Sequence, residues 1–133
     1  MKTLLLSGKA ALQFDLEGAL DGLDEHAEVW RTPVLNHAVW FLARDTDVDV
    51  VFIDVGWCGP QALPAVIEAI DPWLGDAKVV LLVRQLEDFN QAGLRRVRAD
   101  LCVPRATPRR TFCSLLATTV WGVPDPVPQR LAA

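Results

Sequence analysis

The sequence predicts an α/β domain built around a parallel sheet, and three observations carry that expectation. Apolar runs rich in β-branched residues alternate with segments of helical period; the third run is apolar almost throughout; and proline or glycine marks the joints between them. With 133 residues, 51% of them hydrophobic and 23% charged, the chain fits one domain that can bury a core without disulfide or metal staples. That composition argues against a disordered chain.

The elements follow in order. Thr3 to Leu6 is the first strand, and a helix runs from about Ala10 to Leu23, because Leu12, Leu16, Ala19, Leu20 and Leu23 recur at three- and four-residue spacing. Ala27 to Trp30 is a short second strand. Thr32-Pro33 reads as a helix start, with a hydroxyl to cap free amides and a proline at the first helical position, leading to a helix as far as Arg44. Val48 to Ile53 is the third strand, apolar apart from Asp49, as a strand covered on both faces should be. Gly56, Gly59 and Pro60 break the chain, and a third helix begins near Ala62, carries Pro64 in its first turn and stops at Asp71-Pro72. Val79 to Val83 is the fourth strand. A fourth helix, Glu87 to Arg98, is weakened by Gly93, which costs about 1 kcal/mol relative to alanine. Leu101 to Val103 is a short fifth strand. Thr107-Pro108 repeats the capping signal and opens a last helix to Trp121, with Phe112, Leu115, Leu116 and Val120 turned inward. The domain is expected to span residues 1–122, and residues 123–133 form a proline-containing tail.

Several function classes lose support from the sequence. The opening Met-Lys-Thr-Leu-Leu-Leu imitates a secretory signal, but its apolar run stops at Ser7-Gly8-Lys9; no later segment approaches a membrane span, so a cytoplasmic protein is expected. Cys58, Cys102 and Cys113 are odd in number and lack CxxC spacing, which fits reduced thiols better than a disulfide framework or zinc site. His26 and His37 have no partner at metal-ligand spacing. Ser7-Gly8-Lys9 is no phosphate loop, since that motif would need glycine at Thr3 and a hydroxyl at Ala10.

The net charge of −4 conceals a division. Residues 1 to 83 carry five Lys/Arg against thirteen Asp/Glu, whereas residues 84 to 110 carry seven Arg against three acids. Arg95, Arg96, Arg98, Arg105, Arg109 and Arg110 form most of the basic segment, a candidate surface for a partner or a second copy of the chain. No interleaved aromatics or recognition-helix pattern accompanies them, so nucleic acid is not the expected partner. The five tryptophans read mainly as core or core-edge packing, Trp30 above all, with an interaction surface as the alternative.

The residue most open to chemistry is Asp54. It follows the third strand and so stands at the carboxyl edge of the sheet, where open α/β folds bind ligands. Five βα units with an Asp at this place resemble the receiver domain of bacterial response regulators, over roughly Lys2 to Trp121. The stretches Asp76-Ala77-Lys78-Val79-Val80-Leu81-Leu82 and Ala99-Asp100-Leu101-Cys102-Val103-Pro104-Arg105 look like that family's fourth and fifth strands. The resemblance implies a flavodoxin-like (βα)5 doubly wound parallel sheet of strand order 2-1-3-4-5, in three layers, and makes Asp54 the equivalent of the phosphoacceptor.

The same resemblance exposes departures. The acidic pair that helps hold Mg²⁺ in the family is Ser7 and Gly8 here, so magnesium binding is expected to be weak or absent, and no other cofactor is implied. The switch hydroxyl is replaced by Val83, the switch aromatic by Cys102, and the lysine after the fifth strand by Arg105, which could pair with Asp54 and occupy the metal's space. Trp57 lies in the loop after Asp54 and could cover the pocket. These features imply an atypical receiver, a pseudo-receiver of two-component-type signalling. It would act by protein contact rather than as an enzyme, with a kinase, an output protein or itself as partner. A homodimer would use the fourth helix, fifth strand and fifth helix. The alternatives are a receiver phosphorylated on Asp54 by unusual chemistry, and a small flavodoxin-like ligand-binding domain.

Overall fold

The structure, a computed structural model, describes residues 1–45, 47–91 and 97–122. Five parallel strands, β1 (Lys2–Leu6), β2 (Glu28–Thr32), β3 (Val50–Asp54), β4 (Lys78–Val83) and β5 (Leu101–Pro104), form one sheet in the order β2-β1-β3-β4-β5. The helices are α1 (Ala10–Asp21), α2 (Leu35–Arg44), α3 (Leu63–Ile70), α4 (Leu86–Gln91) and α5 (Arg109–Trp121), with one further helical turn at Val55–Cys58 and a 3-10 turn at Asp71–Trp73. This is the architecture and strand order that the sequence implies. Among the described residues no helix is long and apolar enough to cross a membrane.

The alternation of side chains along the strands divides the interior in two. Leu4, Leu6, Val51, Ile53, Val79 and Leu81 face α2 and α3, where Ala38, Leu42, Val66, Ile67 and Ile70 meet them. Leu5, Val50, Phe52, Val80 and Val103 face the other way, onto Leu16, Leu20, Phe112 and Leu116 of α1 and α5. Phe52 stacks against Phe112 with ring centroids 6.1 Å apart. All five residues of β3 are buried, as a central strand covered on both faces requires.

Some local expectations are corrected. Neither Thr-Pro pair caps a helix: Val34 and Pro108 occupy the cap positions of α2 and α5, with no side-chain cap bond. Thr32 is the last residue of β2, and its hydroxyl accepts from Val34 N–H at 3.1 Å. The second strand therefore runs later than Ala27 to Trp30. Trp30 is not core packing but 54% exposed, because β2 is an edge strand; Trp40, Trp73 and Trp121 are exposed as well. Leu115 and Val120 are half-buried, whereas Phe112 and Leu116 are buried. Arg98, placed in the fourth helix by the sequence, is not helical; Gly93 and the tail 123–133 lie outside the described residues. α5 ends at Gly122, whose φ of 64° is the left-handed conformation that glycine adopts without strain, and whose N–H reaches Thr118 O.

At the amino-terminal edge of the sheet, charge ties the strands to the loops. The Met1 ammonium meets Asp24, Lys2 Nζ lies 2.6 Å from Asp45, and Asp100 accepts from Val79 N–H at 2.8 Å. Asp24 is held below the ordinary carboxylate range chiefly by the terminal ammonium, and Asp45 chiefly by Lys2.

Candidate functional site

Register brings the candidate residues together. Leu6 pairs with Ile53, so Ser7 and Asp54 stand side by side at the carboxyl edge; Val83 pairs with Pro104, so Arg105 leaves β5 beside them. Ser7 and Asp54 are buried. The Ser7 backbone is fixed by its N–H to Thr32 O at 3.1 Å, and its hydroxyl donates to Asp54 Oδ2 at 2.9 Å while accepting from Lys9 N–H. The other carboxylate oxygen, Oδ1, accepts from Gly56 N–H at 3.1 Å, where the helical turn Val55–Cys58 begins.

Arg105 is a more distant partner. Its backbone N–H donates to Val83 O at 2.7 Å, which holds the start of the β5–α5 connection against β4. Its guanidinium stands 3.9 Å from Asp54 Oδ1, an ion pair without a hydrogen bond. Val83 is buried and offers no side-chain donor, and Gly8 is exposed, with open space where a side chain would project. Trp57 is half-buried against the core beneath α2 and α3, and its indole N–H donates to Pro33 O at 3.0 Å. The indole thus braces the loop after Asp54 against the β2–α2 connection. Ser7 was legible only as a missing metal ligand; the structure makes its hydroxyl a hydrogen-bond partner of Asp54. A small hydroxyl residue directly after a buried strand, level with the aspartate, was the available signal.

The described arginines have different partners. Arg98 lies 3.6 Å from Asp71, Arg105 turns to Asp54, and Arg109 lies over Gly18 of α1. Arg110 is exposed, and Arg95 and Arg96 lie outside the described residues. The three thiols are free, and burial is the largest cause raising each pKa, Cys102 to about 11. For Cys58 the charge of Asp54 adds to the rise.

The residues present do not fit Mg²⁺. That ion demands near-octahedral oxygen ligation anchored by carboxylates, whereas this pocket supplies one carboxylate, already bonded on both oxygens. Among the described residues no group of three His, Cys, Asp or Glu side chains could hold a metal.

No family model matches the chain, and no curated protein matches it significantly. Solved structures do. The chain is similar to a LuxR family DNA-binding response regulator from Silicibacter pomeroyi, at 20% identity and TM-score 0.69, over 93% of this chain and 97% of that one. It is also similar to a response regulator from Thermotoga maritima, at 18% identity and TM-score 0.72, covering 90% and 97%. A third likeness is to a signal receiver domain of a two-component histidine kinase from Clostridium thermocellum, at 10% identity and TM-score 0.71, covering 90% and 96%. The class that sheet order and these likenesses define is the receiver fold. Identities this low establish the fold and leave the chemistry to be argued from the pocket.

Proposed function

We propose that the chain is an atypical receiver domain of two-component-type signalling, working through protein contact without Mg²⁺-dependent phosphorylation of Asp54. The observation that carries this reading is the Ser7 hydroxyl on Asp54 Oδ2 at 2.9 Å. It stands where the resembled family has part of an acidic pair, and it binds the aspartate itself. With Gly56 on the other oxygen, Asp54 reads as an anchor joining β1, β3 and the following turn. The partner is a protein: a signalling kinase, an output protein or a second copy, and no enzymatic turnover is assigned to the chain. Among the described residues, exposed Arg109 and Arg110 are the parts of the arginine surface without an ion-pair partner and open to such contact.

Incubation with acetyl phosphate and Mg²⁺, followed by intact mass measurement, is expected to leave the mass unchanged. A stoichiometric adduct on Asp54 would sink the proposal. The Arg105 guanidinium favours a second reading, in which it neutralises an incoming phosphoryl group in place of a metal. That reading requires an adduct that forms without Mg²⁺ and disappears in Arg105→Gln.

A further inference from the structure

A cleft of about 210 Å³ opens between α1 and the β5–α5 connection. Leu16, Leu82 and Phe112 give it an apolar floor, and Arg105, Arg109 and Asp15 stand around it. It lies on the sheet face that α1 and α5 cover, and Arg105, which lines it, also faces Asp54.

The two arginines are unequally engaged. Arg105 faces Asp54 at 3.9 Å, while Arg109 has no carboxylate within ion-pair distance among the described residues. Arg109 instead lies against α1, where a Cβ on Gly18 would stand 2.8 Å from a guanidinium nitrogen. Glycine inside a helix is unfavourable relative to alanine; at Gly18 it leaves room for that guanidinium.

We propose that this cleft binds a small organic monocarboxylate, with its head group between Arg105 and Arg109 and its apolar body on Leu16, Leu82 and Phe112. Guanidinium forks match the planar carboxylate geometrically. Two guanidiniums can fork one carboxylate, while Asp15 beside them disfavours the second negative charge of a phosphate dianion. The volume falls below the ~300–1,000 Å³ typical of pockets for drug-sized ligands, so the body is short. The apolar floor rewards an organic ligand over a bare inorganic ion. Because Arg105 also faces Asp54, ligand and aspartate compete for one guanidinium, which couples the cleft to the Asp54 pocket. The proposal does not depend on whether Asp54 is ever phosphorylated.

Amide NMR titration of the full chain with benzoate, phenyl phosphate and benzyl alcohol tests it. Benzoate is expected to give saturable shifts at Leu16, Ala19, Thr107 and Phe112; phenyl phosphate should bind more weakly, and benzyl alcohol should not saturate. Arg109→Gln should weaken benzoate by about tenfold or more, the loss of a charge-assisted hydrogen bond. Gly18→Ala should keep the fold, with an unchanged or raised Tm, yet weaken benzoate by displacing Arg109. Asp54→Asn should tighten binding severalfold by releasing Arg105. Absence of saturable shifts, benzyl alcohol equal to benzoate, tighter binding of phenyl phosphate, or unchanged affinity in Arg109→Gln overturns the proposal.

Discussion

Carboxylates at the two edges of the sheet are treated in opposite ways. At the amino edge, Asp24 and Asp45 are partly exposed and meet full positive charges, the terminal ammonium and Lys2. At the carboxyl edge, Asp54 is 1% exposed, and its two hydrogen-bond donors are neutral, a hydroxyl and a backbone amide, with the guanidinium beyond bonding distance. An exposed pair contributes little to stability because water screens it. A buried acceptor is costly to leave unpaired, so each neutral donor matters more than its charge suggests. The amino edge is therefore tuned by pH and salt, and the carboxyl edge by geometry.

The largest test of that contrast is Ser7→Ala, which leaves Asp54 Oδ2 without its donor and should cost about 1–3 kcal/mol in urea unfolding. An unchanged midpoint would mean that the aspartate finds another donor and that geometry does not govern this edge. Arg105→Met should cost less, under about 1 kcal/mol, because the pair is long and the guanidinium partly exposed. A loss larger than that of Ser7→Ala would make charge the dominant partner at both edges.

The amino edge should respond to pH instead. Asp24 and Asp45 have lowered pKa values, so their contribution is present above the ordinary carboxylate pKa and lost as pH falls through the lowered values, below about pH 4. The Lys2 pKa is raised, chiefly by its hydrogen bond to Asp45, so its contribution holds below about pH 10.5 and fades as pH rises through the raised value. Lys2→Met should flatten both limbs of the stability profile; unaltered limbs would remove this pair from the account. The smallest effect is expected at Cys58. Asp54→Asn removes one minor cause of its raised pKa, so iodoacetamide labelling should quicken by about two- to threefold at most. A slower rate would remove Asp54 from the causes of the raised thiol pKa.

Most of the scaffold was legible because its signals are local. Runs such as Val79 to Val83 are short, apolar and β-branched, which favours a buried strand, and Pro64 marks the first turn of α3. Asp54 was legible for the same reason, as the residue at the end of such a run. The errors come from facts that only the assembled sheet contains. Trp30 read as core because nothing within Ala27 to Trp30 says that β2 lies at an edge, with one flank unpaired. Thr32 read as a cap because its hydroxyl suits one equally well, but sheet pairing with β1 holds the residue in the strand. Ser7 was judged against a carboxylate, and a serine hydroxyl reveals its partner only when the register sets it beside residue 54. Of the arginines grouped by sequence proximity, Arg98 stands by Asp71, while Arg105 and Arg109 flank one cleft beside α1.

The inner position of β1 also constrains how the molecule comes into being. β1 leaves the ribosome before both of its neighbours, pairing with β2 on one side and with β3 on the other, the latter about fifty residues later. Until β3 emerges, Leu4, Leu5 and Leu6 have only one flank covered, and Ser7 has no aspartate to meet. Parallel pairing at such separations is slow because chain closure precedes any reward. A nascent chain halted before residue 50 should therefore expose this leucine run to chaperones, and one extended past β4 should not.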